Sequence, residues 1–353
     1  MDPQPVLCDT DTVLNGVLPA LQACSTLILD CEGVNLGVRG GSLSLITLRT
    51  VRPSFAQTYL IDIVRLSPAA LAPVFALLRS SSVLKIVFDG RMDFSALYHG
   101  HGVEIQGVLD LQLVDVASRC ESPEAHLKRL GNYLKRGEIN ANKQMYVDVH
   151  KLSGLAECVR EHTAADSSCV SKGQGGRIRL TAACFSIFNV YALVNHANWG
   201  LRPLPEDYIA YATADATLIH TLFDKFTEMG YITPNLTSLS HTYVTMWKSD
   251  QPVSQYSRIG HPLLPLGIIN HTSSYGPSKS CTVCSRSLPQ AAFSKNSWKA
   301  KDRKCWVCRA VAVNGSGRSR WDWDDDDYGL GYDSDSDSDG FGFLYNNDNY
   351  FSD

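Results

Sequence analysis

Three short runs near the amino terminus are apolar at strand spacing: Leu27-Ile28-Leu29, Ser42-Leu43-Ser44-Leu45-Ile46-Thr47-Leu48 and Tyr59-Leu60-Ile61-Asp62-Ile63. Glycines separate the first two, so the set predicts an antiparallel meander. The pattern then changes period. Ser67-Pro68 opens a helix that should run to Arg79, because serine caps the first turn and proline suits its first position. Val83 to Phe88 predicts a strand and Asp93 to His99 a helix; Val108-Leu109 predicts a short strand leading into a helix over Asp110 to Arg119. Strands first and then alternating strand and helix predict an α/β fold with a mixed sheet and flanking helices.

Farther on, Pro205 is followed by Glu206-Asp207 and by apolar residues at helical spacing through His220, which predicts a helix with Tyr211 and Asp215 on one face. Between these regions, residues 120–198 are hard to read. Gly154 to Val159 suggests a short helix, Asp166 to Gly176 a polar, glycine-rich loop, and Thr181 to Val194 a buried helix or strand too short to span a bilayer. Residues 1–24 read as a lead-in and 233–278, rich in proline, serine and histidine without periodicity, as a linker. There is no internal repeat.

At 353 residues and 44% apolar content the chain can bury a sizeable core and carry a second module. Met1-Asp2-Pro3-Gln4-Pro5 lacks the charged and apolar regions of a signal peptide, so an intracellular protein, nuclear or cytoplasmic and without a membrane partner, is expected. The net charge of −4 hides an asymmetry: Trp321 to Asp353 holds eleven Asp and no Lys or Arg, leaving 32 basic against 25 acidic residues before it. Within that remainder, Lys279 to Arg320 holds ten basic residues against Asp302 alone. A near-neutral body therefore precedes a basic module at 279–312 and an acidic segment at 313–353, which should be disordered.

The candidate chemistry begins with acidic residues. Asp30 and Glu32 stand at i and i+2 after the first strand run and project to one side. Asp93 follows Lys85-Ile86-Val87-Phe88-Asp89-Gly90-Arg91-Met92, with Asp89 as a competing carboxylate; Tyr211 and Asp215 pair a hydroxyl with a carboxylate. Converging carboxylates suit hard divalent ions, and two such ions suit phosphodiester hydrolysis. In order and local sequence these fragments resemble the DEDDy branch of the 3′ to 5′ exonucleases, the ribonuclease D and Werner-type superfamily. Asp30-Cys31-Glu32-Gly33-Val34-Asn35-Leu36-Gly37 is similar to its eukaryotic subgroup. Leu109-Asp110-Leu111-Gln112-Leu113 and Trp199-Gly200-Leu201-Arg202-Pro203-Leu204 carry the likeness further.

The resemblance implies a ribonuclease H-like exonuclease domain over 25–232, with an insertion at about 120–198. It selects Asp93 over Asp89, which is left as a helix N-cap, while Asp62 and Asp110 are read as structural. It implies two Mg²⁺ or Mn²⁺ ions held by Asp30, Glu32, Asp93 and Asp215. Tyr211 would orient the attacking water, and nucleoside 5′-monophosphates would be released from RNA or DNA 3′ ends. Some members of the subgroup bind without cutting, so a silent adaptor in RNA processing or chromatin silencing is the alternative.

The last pattern is Cys281-Thr282-Val283-Cys284 and Cys305-Trp306-Val307-Cys308, separated by twenty residues among eleven cysteines in all. This spacing predicts a structural Zn²⁺ site with four thiolates. Leu288-Pro289 and Phe293 to Lys299 resemble the intervening segment of fungal LIM-like zinc modules. Lys295, Trp298, Lys299, Arg303 and Lys304, with Lys301 and Trp306, combine charge and aromatic faces; they are expected to contact nucleic acid, with a protein partner as the other reading.

Overall fold

A computed structural model describes residues 3–51, 56–119, 123–146, 149–163, 170–172, 178–180, 194–253, 263–264 and 276–315. The long strand of the meander is β2 (Thr26–Val34), flanked in sequence by β1 (Val6–Cys8) and α1 (Asp11–Gln22) before it and by β3 (Ser42–Thr50) and β4 (Thr58–Asp62) after it. There follow α2 (Pro68–Arg79), β5 (Leu84–Val87), α3 (Arg91–His101), β6 (Val108–Asp110) and α4 (Leu111–Ser118). The strands form one six-stranded sheet in the order β1-β4-β3-β2-β5-β6. The meander pairs β2–β3 and β3–β4 antiparallel, and β1–β4, β2–β5 and β5–β6 are parallel.

The sheet separates two cores. Leu27, Leu29 and Cys31 of β2 enter a layer with α1, α2 and α3, whereas Ile28 enters the opposite layer with Leu45, Leu60, Ile86 and Leu109. That second layer is completed by α4, by α7 (Leu155–Thr163) and by the long helix α8 (Glu206–Glu228). Strand alternation therefore sends Asp30 and Glu32, which follow Ile28 in step, to the face that α8 packs on.

Two segments depart from expectation. The lead-in 1–24 is part of the fold: β1 extends the sheet beside β4, and α1, capped by Thr10, buries Leu14, Leu18 and Leu21. Their apolar spacing of four and three residues is helical. The supposed linker begins with α9 (Pro234–Val244), whose Leu236, Leu239 and Tyr243 recur at helical spacing but are diluted by serine, threonine and histidine. It is anchored where it matters: the Ser240 hydroxyl accepts the Asp110 amide at 2.9 Å, and the Tyr243 hydroxyl donates to Gln112 at 2.8 Å.

Within 120–198 the described residues form α5 (Pro123–Leu130), α6 (Arg136–Ala141), α7 and an antiparallel pair, β7 (Val170–Lys172) with β8 (Ile178–Leu180). The apolar stretch from Thr181 and the acidic segment from 316 onward lie outside the described residues. No helix among the described residues is long and apolar enough to cross a membrane.

The approach to α8 is held by one buried ion pair. Arg202 donates to both Asp62 oxygens, Nε at 2.5 Å and Nη2 at 2.7 Å, and also to the Trp199 and Ser44 carbonyls. Asp62 is fully enclosed and Arg202 nearly so. Removing one partner strands the other charge. Asp62→Ala should therefore lower the unfolding free energy by about 3 to 5 kcal/mol in urea titration; a loss below about 1 kcal/mol would show that the pair does not hold this segment.

Candidate active site

Asp30 and Glu32 come from the middle and second half of β2 and Asp215 from the middle of α8, and one carboxylate oxygen from each lies within 4.8 Å of the others. Asp93, in the first turn of α3, is buried nearby and feels the charges of Asp30 and Asp215. The four predicted carboxylates are thus gathered from three elements far apart in sequence. Glu32, Asp93 and Asp215 are each less than 9% exposed. Burial, and then repulsion from Asp30, Asp89, Asp110 and Asp215, raises the Asp93 pKa well above the carboxylate range. Burial likewise pushes Asp30 up to about 7, opposed by the Cys31 amide. Asp30 Oδ2 is shielded from solvent with no hydrogen-bond partner. Buried carboxylates gathered in this way, with that Asp30 oxygen unpartnered, offer the oxygen-only chemistry that Mg²⁺ or Mn²⁺ takes.

Close backbone approaches build this geometry. β2 and β3 shift register between Glu32 and Gly33, and a Cβ at Gly33 would stand 2.0 Å from the Ser42 carbonyl oxygen. Only glycine lets β3 come this near the residue after Glu32. At Gly37, φ +71°, a Cβ would stand 2.5 Å from the Met92 carbonyl oxygen, and the Gly37 carbonyl accepts the Ser95 hydroxyl at 2.6 Å. The β2–β3 turn is thereby fastened to the turn of α3 that presents Asp93.

Asp89 does not cap α3. Gly90 occupies the cap position with no side-chain bond, and Asp89, at φ +53°, clasps Arg91 through two bonds of 2.5 and 2.6 Å. The backbone turns left-handed at Asp89, so its side chain cannot reach back over the first helical amides. Asp110 does the work instead: its carboxylate accepts the amides of Asp89, Gly90 and Gln112, capping α4 and tying the β5–α3 turn to it. Arg91 lies over the Tyr243 ring at 4.8 Å. Tyr243 and Ser240 are supports that the linker reading missed.

Tyr211 sits one turn before Asp215 and is 7% exposed. Trp199 and His196 meet its ring nearly edge-on, at centroid distances of 5.9 and 5.6 Å. Trp199 also packs on Tyr208, whose hydroxyl donates to the Asn195 carbonyl at 2.8 Å. The ring is therefore packed against a segment that Asp62 anchors. His196 carried no motif signal, because its relation to Tyr211 exists only after the chain folds back.

The four cysteines Cys281, Cys284, Cys305 and Cys308 form a second group, with sulfurs within 4.8 Å of one another and all buried. β9 (Ser278–Ser280) and β10 (Ser287–Pro289) pair antiparallel around the first two. Amides point at the sulfurs, Cys305 N to Cys281 Sγ at 3.4 Å and Cys308 N to Cys305 Sγ at 3.5 Å. Hydrogen bonds from the Cys305 and Cys308 thiols, with Arg286 beside them, hold the Cys284 pKa far below its usual value. Four converging sulfurs with amide donors fit a tetrahedral thiolate site of the kind Zn²⁺ takes.

Lys295, Trp298 and Lys299 lie on α10 (Lys295–Lys299), capped by Ser294, and Arg303 and Lys304 on the loop before Cys305. Trp306, expected to offer an aromatic face, is instead 2% exposed at the start of α11 (Trp306–Gly315). Its ring meets Tyr146 edge-on at 5.8 Å. Arg309 reaches Glu138 at 3.2 Å, and Tyr146 donates to the same carboxylate oxygen at 2.8 Å. Trp306 and Tyr146, with Leu130, Leu134, Ile139, Phe293 and Ala310, belong to a third core. The module is packed on α5 and α6; no local pattern in 120–198 announced that surface.

Residues 5–230 match the family model described as 3′–5′ exonuclease. The structure is similar to Trypanosoma brucei RNase D in complex with RNA, at a TM-score of 0.51 and 20% identity over 81% of this chain and 84% of that one. Another structure of Trypanosoma brucei RNase D gives 0.47 and 22% over 70% and 73%, and the Aedes aegypti Nibbler EXO domain gives 0.39 and 20% over 68% and 95%. No curated protein matches the chain. The family match begins at the edge of β1 and ends just after α8, so it takes in the sheet and all the strands and helices on which the carboxylates stand: this chain belongs to the 3′–5′ exonuclease family.

Proposed function

We propose that this nuclease removes nucleotides one at a time from the 3′ end of RNA or DNA, with a divalent-metal site of the DEDDy kind. The observation that carries the reading is the meeting of Asp30, Glu32 and Asp215 oxygens within 4.8 Å, with Asp93 buried beside them. Asp30, Glu32 and Asp215 would hold one ion, and Asp30 with Asp93 a second. When bound, such a pair polarises the phosphoryl oxygen and acidifies water.

The protein's own contribution is placement. Four carboxylates that repel one another are kept together by the sheet and by α3 and α8, so ion binding relieves a strain already present in the fold. Tyr211, its ring packed against Trp199 and His196, would orient the attacking water through its hydroxyl. Attack forms a new P–O bond and breaks the bond to the O3′ of the next nucleotide. A nucleoside 5′-monophosphate leaves, and the shortened strand ends in a hydroxyl.

Asp30→Asn or Glu32→Gln should leave less than about a tenth of wild-type degradation of a 5′-labelled single strand in Mg²⁺ or Mn²⁺, with an unchanged far-ultraviolet spectrum. Retained degradation would remove these residues from the reaction.

Tyr211→Phe keeps the packed ring and deletes the hydroxyl. Turnover should drop about a hundredfold while the melting temperature stays within a degree or two. Equal turnover would make Tyr211 a core aromatic only.

Zinc at the four cysteines would supply much of the module's folding energy. Because the module and α5–α6 share a core, Cys284→Ser with Cys305→Ser should increase amide hydrogen exchange in both 276–315 and 123–146. Protection lost in the module alone would mean that α5 and α6 stand without it.

A further inference from the structure

The basic module shows less aromatic face than its sequence advertises. Trp306 is sealed in the third core. Trp298 packs against Phe293 at 5.5 Å, while the Lys279 ammonium lies over its ring at 4.6 Å and donates to its carbonyl at 3.0 Å. Arg309 is drawn away to Glu138 and Arg286 to the Cys284 sulfur.

What remains is a set of exposed lysines. Lys295 and Lys299 are four apart on α10 and share its outer side. The loop bearing Lys301 and Lys304 is drawn against that helix because the Ser297 hydroxyl both accepts the Lys304 amide and donates to the Lys304 carbonyl, each at 2.9 Å. All four lysines are exposed, and none forms an ion pair among the described residues. Asp302, the one acidic residue in this stretch, is engaged by the Thr282 hydroxyl at 2.6 Å. The four share no residue with the face docked on α5 and α6.

A surface of exposed ammonium groups, whose nearest ring, Trp298, is half-buried between Lys279 and Phe293, binds phosphate and gains little from bases. Single strands are held in large part by stacking on aromatic side chains, whereas a duplex offers twice the phosphate charge per unit length and hides its bases. We propose that Lys295, Lys299, Lys301 and Lys304 grip the phosphate backbone of a double-stranded segment of the substrate. This rests on the exonuclease reading and makes its substrate a 3′ end beside a duplex. The rigid docking through Trp306, Tyr146 and the Glu138–Arg309 pair keeps the lysines presented, so binding does not first have to order a tether.

The test uses the full chain, loaded with Zn²⁺ and carrying Asp30→Asn so that no probe is cut. Fluorescence anisotropy is read with a hairpin bearing a short 3′ overhang and with a single strand of equal length, each as RNA and as DNA. Changing the four lysines to glutamine should weaken hairpin binding at least tenfold at low salt. It should also reduce the slope of log affinity against log salt by roughly 3 to 4. The single strand should lose less than threefold, and Trp298→Leu should change neither.

An unchanged salt slope, an equal loss for single strand and hairpin, or a tenfold loss of single-strand binding in Trp298→Leu would each overturn the proposal. So would polyaspartate of matched charge binding the unmutated module as tightly as the hairpin, which would make the surface a seat for an acidic protein. A hairpin effect present for RNA and absent for DNA would support the grip and fix the A-form duplex as its partner. Because no arm depends on hydrolysis, failure here is distinct from failure of the exonuclease reading, which would appear as degradation surviving Asp30→Asn.

Discussion

Like charges do not gather unaided, and the folding of this chain is organised around forcing them to. Asp30, Glu32, Asp93 and Asp215 would each be better solvated in an open chain, yet the fold removes three of them almost wholly from water and leaves one Asp30 oxygen without a partner. The free energy for this comes from elsewhere, from two apolar cores on opposite faces of one sheet. The same imbalance makes a divalent cation the natural complement of the site.

Holding that arrangement requires the elements to be rigid against one another, and the polar ties are placed at the joints. Asp110 gathers the β5–α3 turn and the start of α4; Ser240 and Tyr243 of α9 brace it from behind. Asp62 and Arg202 lock the segment that leads to α8 onto the meander. Gly33 and Gly37 allow backbone contacts that any side chain would block. Each device acts at the seam between two elements, where a displacement of about 1 Å would misplace a carboxylate.

The four-cysteine module follows another logic. A unit of about forty residues cannot bury enough apolar surface to be stable alone. Here it joins its apolar residues to those of α5 and α6, with Tyr146 against Trp306 and a carboxylate shared by Tyr146 and Arg309. Helices α5 and α6 gain a partner for a face that would otherwise be exposed, and the module gains a fixed place beside them. Its lysines are left outward as a result of that packing.

Much was legible without coordinates because it is local. The period of Leu27-Ile28-Leu29 and the cap at Ser67 set strand and helix directly. The i, i+2 step of Asp30 and Glu32 and the i, i+4 step of Tyr211 and Asp215 set which side chains go together. Paired cysteines at short spacing likewise predict their own cluster. Local pattern failed where partners are distant. Asp89 looked like a cap until a left-handed backbone and Arg91 claimed it, and Trp306 looked like a stacking face until Tyr146 covered it. The spacing of Leu236, Leu239 and Tyr243 was readable yet masked by polar neighbours, and its meaning depended on Asp110 and Gln112, more than a hundred residues earlier. Backbone periodicity is written in a few neighbouring residues, whereas burial, pairing and charge environment belong to contacts that arise only when remote segments meet, and those contacts decided which residues were free to act.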